Sequence, residues 1–186
     1  MPKEELKSPQ RRTLTKRLVR EAMLDLLKTK SIRKISVREL CDAAGINRTT
    51  FYNHYDDTGE VLVDIEKRFL TKLSAEEEPC TAADLEQHIA RLCTRLQKNR
   101  EVAIILMENN ADPHFFDKLM TARENGSCWQ QLSSSYTAEE AALLQDFLSN
   151  GAYAMLLRWL KEGCRQPPEQ VAGLVSKAIQ RGVALK

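Results

Sequence analysis

No stretch of this 186-residue chain holds 18 apolar residues in a row, so no membrane-crossing helix is expected. The opening Met1-Pro2-Lys3-Glu4-Glu5 does not lead into the apolar core of a signal peptide. The five cysteines (Cys41, Cys80, Cys93, Cys128, Cys164) are odd in number, scattered and free of Cys-x-x-Cys pairs, which reads as reduced thiols in a cytoplasm. Only three histidines occur, His54, His88 and His114, each in a different predicted helix and without metal-ligand spacing. The chain also lacks a Gly-x-Gly-x-x-Gly, a phosphate loop, a Gly-x-Ser-x-Gly elbow and a His-Glu-x-x-His. No catalytic residue, metal or cofactor is therefore expected. Sustained two-residue alternation is missing too, which removes strands and leaves an all-α chain.

What is present is uneven. Hydrophobic residues make up 42% of the chain and charged residues 29%, enough for a buried core in a soluble protein. Residues 1–55 hold 13 Lys and Arg against 6 Asp and Glu, whereas 56–186 hold 15 against 20. A basic first third on an acidic remainder is the footprint of a module that faces phosphate.

The densest signal lies between Ile35 and Tyr55. Ser36 suits an N-cap, and Val37, Leu40, Cys41 and Ala44 follow at i, i+3, i+4 and i+7, an apolar stripe on a short helix. On such a stripe Cys41 serves as a small hydrophobe. Gly45 stands where that helix must stop, since glycine takes a left-handed backbone easily. Ile46 pins the turn, and Asn47 caps a second helix that leads with Arg48, Thr49 and Thr50. This is a helix-turn-helix, in which the second helix enters the major groove by its N-terminal residues. Arg48 can take guanine O6 and N7 together, and Thr49 and Thr50 can meet a thymine methyl or a phosphate. Asn53 lies on the same helix; Tyr52 and His54 can reach phosphate oxygens, Ser36 and Arg38 suit the DNA backbone, and Tyr55 suits the core.

A preceding amphipathic helix followed by Ser-Val-x-x-Leu-Cys-x-x-Ala-Gly-Ile-x-x-x-Thr-Phe-Tyr-x-His-Tyr resembles the DNA-binding domain of TetR/AcrR-type bacterial transcriptional regulators, over about Thr15 to Leu73. One departure stands out. That family usually carries a Lys shortly after the His-Tyr pair, and this chain has Asp57-Thr58-Gly59 there. The lost backbone contact would fall to the Thr58 hydroxyl or the Gly59 amide.

About nine helices are expected: an N-terminal three-helix helix-turn-helix domain followed by a helical bundle. Residues 1–12, with Pro2 and Pro9 and no apolar period, read as a flexible basic arm. Residues 13–73 form the DNA-binding domain, with the helix-turn-helix at about 36–55. Its first helix, capped by Thr13 or Thr15, repeats Leu18, Val19, Ala22, Met23, Leu26 and Leu27. Thr58 opens a longer helix ending in Glu76-Glu77-Glu78-Pro79, and residues 79–186 form a C-terminal ligand-binding and dimerisation domain. Helix starts fall at Thr81 to Asp84, at Val102, at Asp112-Pro113 (with a break at Asn125-Gly126), at the capping box Thr137 to Glu140, and at Pro167-Pro168.

The last two helices carry apolar residues around more than one face, more than their own domain can bury. The resemblance implies that a pair of such helices from each subunit forms a four-helix dimer interface. Here that assigns Phe147, Gly151, Met155 and Trp159 with Val171, Leu174, Val175 and Ala178, Gly151 allowing close approach and Trp159 acting as anchor. The resemblance also implies a ligand inside the bundle, beside Leu92, Cys93, Leu96, Leu106, Met107, Phe115, Phe116, Met120 and Trp129. Few charges fall on that face, so the ligand should be small and apolar or aromatic. Helical spacing alone would also produce such a stripe as plain core.

The resemblance thus implies a cytoplasmic homodimer that binds double-stranded operator DNA, represses transcription and is released by a small apolar ligand. An activator or ligand-free regulator controlled by a protein partner fits the same residues. An enzyme or scaffold with a vestigial DNA module fits them as well, and the Asp57-Thr58-Gly59 departure keeps that reading open.

Overall fold

The computed structural model describes residues 9–74, 81–108, 111–112, 115, 118–119 and 127–184, excluding the side chains of 9–11 and 127–128. Among these residues there are nine α-helices, one 3-10 turn and no strand. The helices are α1 (Pro9–Leu27), α2 (Val37–Ala44), α3 (Arg48–Tyr52), α4 (Thr58–Ser74), α5 (Leu85–Lys98), α6 (Arg100–Met107), α7 (Ser127–Leu132), α8 (Ala138–Lys161) and α9 (Pro168–Val183). The all-α architecture is the one read from the sequence. The chain divides into two compact units, Met1–Arg68 with Glu108–Pro113, and Phe69–Met107 with His114–Lys186.

In the first unit α1 packs on α2, and the buried core holds Val19, Ala22, Met23 and Leu27 of α1, Leu40 and Cys41 of α2, Phe51 of α3 and Val61, Leu62 and Ile65 of α4. Helix α1 starts at Pro9, not at Thr13 or Thr15, so residues 9–12 of the expected arm are helical. Proline is well placed in a first turn, where its missing N–H is one the helix leaves unused. Residues 1–8 lie outside the described residues.

In the second unit, α5 buries Leu85, Ile89, Leu92, Cys93 and Leu96, one face by spacing, and α9 packs along it and beside α8. Helix α5 begins after Asp84, three residues beyond Thr81, whose hydroxyl is tied to the Asp84 carboxylate. Helix α8 opens on the expected capping box: the Glu140 amide donates to Thr137 Oγ1 (3.3 Å) and the Thr137 amide to Glu140 Oε2 (2.9 Å). Arg100 closes its other end, donating from Nε to the Leu160 carbonyl at 2.6 Å. No cap or start residue precedes α7. Six residues make a marginal helix alone, and this one is tied down by the Ala82 amide donating to Gln131 Oε1 at 3.1 Å. The expected stop at Glu76–Pro79, the start at Pro113, the break at Asn125-Gly126, and Cys80, Phe116 and Met120 lie outside the described residues.

The eight interface positions read from the sequence separate into two groups. Phe147, Gly151, Met155, Leu174 and Ala178 are exposed, with Phe147 at 75%, and Leu143 extends the same face. Trp159, Val171 and Val175 are instead buried within their own protomer, Trp159 at 4% exposure. The Trp159 indole N–H donates to the Gln166 carbonyl at 3.0 Å, so it anchors the end of α8 to the turn before α9. Spacing along a helix cannot separate a face buried internally from one left to a partner.

Candidate nucleic-acid interface

The helix-turn-helix is set by three terminus devices. At the start of α2 the Glu39 amide donates to Ser36 Oγ at 3.2 Å. At its end Gly45 is left-handed (φ +66°), the Ile46 amide donates to the Cys41 carbonyl at 3.0 Å and the Gly45 amide to Asp42 at 3.3 Å. This paired arrangement satisfies the last carbonyls of α2 and turns the chain sharply. Asn47 then caps α3, the Thr50 amide donating to its Oδ1 at 2.7 Å.

Helix α3 buries Phe51 completely and turns Arg48, Thr49, Tyr52 and Asn53 to solvent, with Thr50 half-buried. Ser36 and Arg38 are exposed at the start of α2. Arg38 lies 3.9 Å from Asp42, but with both side chains over 70% exposed such a pair contributes little and leaves the guanidinium able to swing to a phosphate. His54 is half-buried, and burial followed by the nearby Lys16 and Arg12 charges holds its pKa below the ordinary 6.5. At neutral pH its imidazole is uncharged, able to donate one hydrogen bond.

Tyr55 belongs to the core. Its hydroxyl donates to Asp64 Oδ2 at 2.7 Å, the same carboxylate takes Arg20 Nη1 at 2.9 Å and Arg68 Nε at 3.0 Å, and Lys16 Nζ stands 4.9 Å over the ring. Asp64 therefore ties the end of the recognition segment to α1 and α4. Burial and the Asp64 contact push the Tyr55 pKa up to about 12, so this phenol stays a donor at any physiological pH. Burial raises the Asp64 pKa, but the three donors outweigh it and the net shift is downward from 3.8. A depressed carboxylate contributes stability that is complete above its ordinary pKa and disappears as pH falls through the lower folded value. In urea titrations from pH 7 to pH 3, Asp64→Asn should be the less stable form near neutrality, with the gap narrowing below pH 4. A gap that stays constant across that range would remove Asp64 as the titrating hub.

The departure at 57–59 has a local explanation. Asp57 caps α4, accepting from the Glu60 amide at 2.8 Å, while Glu60 reaches back to the Asp56 amide at 2.7 Å. Gly59 fits beside that cap: a Cβ there would stand 3.1 Å from Asp57 Oδ1. Thr58, half-buried, is the first residue of α4. The cap signal was legible as Asp followed three residues later by Glu.

The second unit holds a cavity of about 180 Å³. Of the residues proposed for a pocket, Leu92, Leu96, Met107 and Trp129 line it. Cys93, Leu106 and Phe115 sit in the packed core and not on the cavity wall, Phe115 with its ring 6.0 Å from that of Phe69. The wall also includes Leu85, His88, Leu148, Ser149, Tyr153 and Val175, which spacing had not assigned to it. Burial raises the Cys41 and Cys164 thiol pKa values, so both are protonated at neutral pH. Among the described residues no group of three or more His, Cys, Asp or Glu is placed to hold a metal ion, and no helix is long and apolar enough to cross a membrane.

A capped recognition helix presenting polar side chains, with no strand among the described residues, defines a helix-turn-helix DNA-binding protein. A family profile of the TetR group described as "Transcriptional regulator C-terminal region" matches residues 83–181, and the chain belongs to the TetR family of DNA-binding transcriptional regulators. No curated protein matches it in sequence. Solved structures share the fold. A TetR transcriptional regulator from Streptococcus agalactiae is 20% identical with a TM-score of 0.69, over 91% of this chain and 96% of its own. The fatty acid degradation regulator FadR from Bacillus halodurans is 13% identical with a TM-score of 0.59, over 94% and 96%. The TetR family regulator PfmR from Thermus thermophilus is 20% identical with a TM-score of 0.56, over 91% and 99%.

Proposed function

We propose that the protein is a cytoplasmic, homodimeric repressor that binds operator DNA through α3 and is released by a small apolar ligand in the α5–α8–α9 cavity. The observation that carries this reading is the exposed N-terminal face of α3, where Arg48 and Thr49 lead a helix held in place by the Asn47 cap and the buried Phe51. Arg48 reads a guanine, Thr49 and Thr50 contact bases or phosphate, and Asn47, Tyr52, Asn53 and His54 hold the DNA backbone with Ser36, Arg38 and Thr58. The exposed face of Phe147, Gly151, Met155, Leu174 and Ala178 takes a second copy, which sets two recognition helices one DNA turn apart, about 34–36 Å. Ligand and DNA are then coupled: a ligand favouring badly spaced helices weakens DNA binding by the factor that DNA weakens the ligand.

Arg48→Ala tests the reading. Fluorescence anisotropy with the protein's own upstream DNA should show a loss of about 1–3 kcal/mol per half-site and relaxed preference at one base position. Equal losses on operator and random DNA would instead make Arg48 a phosphate contact.

A further inference from the structure

The cations of α1 fall into two sets. Arg17 pairs with Glu21, and Arg20 with Asp64. Arg12 and Lys16 have no carboxylate partner among the described residues, and they lie four residues apart, on one face of the helix. Their register depends on α1 beginning at Pro9. In the flexible arm expected from the sequence, Arg12 would hold no fixed place beside Lys16.

That face is turned to the end of the recognition segment. Lys16 Nζ stands 4.9 Å over the ring of Tyr55, the residue after His54. Lys16 and Arg12 are also the charges that act on the half-buried His54 imidazole, both against its protonated form. The carboxylates that open α4 are engaged elsewhere: Asp57 accepts from the Glu60 amide at 2.8 Å and Glu60 from the Asp56 amide at 2.7 Å. Two cations one helical turn apart repel each other, and an anion between them turns that cost into attraction. A lysine over a ring face keeps N–H donors directed away from the ring. Guanidinium, ammonium and imidazole thus offer donors around one spot, a match for the two unesterified oxygens of a phosphodiester. With the first residues of α3 at the bases, His54 falls where the chain leaves the groove beside the sugar-phosphate edge.

We propose that Arg12 and Lys16 clamp one backbone phosphate of the bound DNA at the end of α3, with the His54 N–H as a third donor. This rests on the DNA-binding reading above and adds α1 to the interface, as a contact that fixes position and reads no base.

Arg12→Gln and Lys16→Gln, singly and together, test it by anisotropy on the protein's own upstream DNA and on random duplex, from 50 to 200 mM salt. Each single variant should weaken both DNAs by the same factor and leave their ratio unchanged. The slope of log affinity against log salt should become shallower by about 0.9 per half-site, so the gap to wild type narrows about 3.5-fold per half-site over that range. Arg12→Lys and Lys16→Arg, which keep the charge, should keep the slope. Single uncharged methylphosphonate linkages are then walked along the operator. One position per half-site should cost the wild type what the double variant loses, and cost the double variant nothing more. A merely structural role for these residues would not single out one phosphate. Specific operator binding with an unchanged slope in the Gln variants would overturn the clamp and leave the DNA reading standing. A loss confined to operator, a slope lost equally in the charge-keeping variants, or no linkage that cancels the difference would also overturn the clamp. A wild type with no preference for any upstream sequence would overturn the DNA reading and the clamp with it.

Discussion

Phe51→Ala is expected to destabilise the first unit by about 3–5 kcal/mol, the usual cost of emptying a buried aromatic site. Phe51 is completely buried, with its ring centroid 5.9 Å from that of Tyr55 and edge-on to Tyr52 at 5.5 Å. The effect should also reach the placement of α3, because α3 has only five residues and no stability of its own. Its position comes from the Asn47 cap, the Gly45 turn, this ring and the Tyr55–Asp64 contact just beyond its end. Denaturant titration of the full-length protein should show the loss of stability, and anisotropy should show operator affinity falling even where the chain remains folded. A loss under about 1 kcal/mol with DNA binding intact would mean that α3 is held by something other than Phe51.

Phe147→Glu combined with Gly151→Arg is expected to convert the proposed dimer to monomer and to lower operator affinity by at least about a thousandfold. The two half-sites of a dimer bind with a large effective-concentration gain that a monomer lacks. Both positions are exposed beside a groove of about 240 Å³ between α8 and α9, also bounded by Met155, Ala178 and Gly182. A Cβ added at Gly151 meets nothing within 4 Å, and the position is exposed, so a side chain there starts out into solvent. Circular dichroism should stay helical while sedimentation reports the monomer. Trp159→Ala is the contrasting control: it should lower stability by about 3–5 kcal/mol through the core, with the dimer persisting wherever the fold does. A dimer that survives the double substitution would move the interface to another face.

Local signals carried much of the architecture. Ser36, Gly45 and Asn47 are cap and turn residues whose preferences act within four residues, and each occupies the expected role. Thr137 with Glu140 opened α8 for the same reason. Elements without such signals were harder to place. Pro9 extends α1 into a segment without apolar period, and α7 depends on a contact made by Gln131 with residue 82, 49 positions away. Trp159 shows the limit for surfaces. A long helix apolar on several sides does not reveal which side its neighbour covers, and the fold of α9 against α5 decided that Val171 and Val175 are inside while Leu174 is outside. Cavities are harder still, because Cys93 and Leu92 are neighbours on one apolar stripe, yet only Leu92 borders empty space.

The carboxylate of Asp57 bears on how the protein responds to ionic strength. It lies in the Asp57-Thr58-Gly59 segment, where the TetR resemblance implies a lysine, and it caps α4. Each phosphate contact a protein gives up displaces one condensed counterion fewer, and the slope of log affinity against log salt becomes shallower by about 0.9. If α3 binds operator DNA as proposed, this protein is expected to show an occupancy that varies less than with a lysine there when a cell takes up or expels salt under osmotic stress, with more of its discrimination resting on the bases that α3 meets.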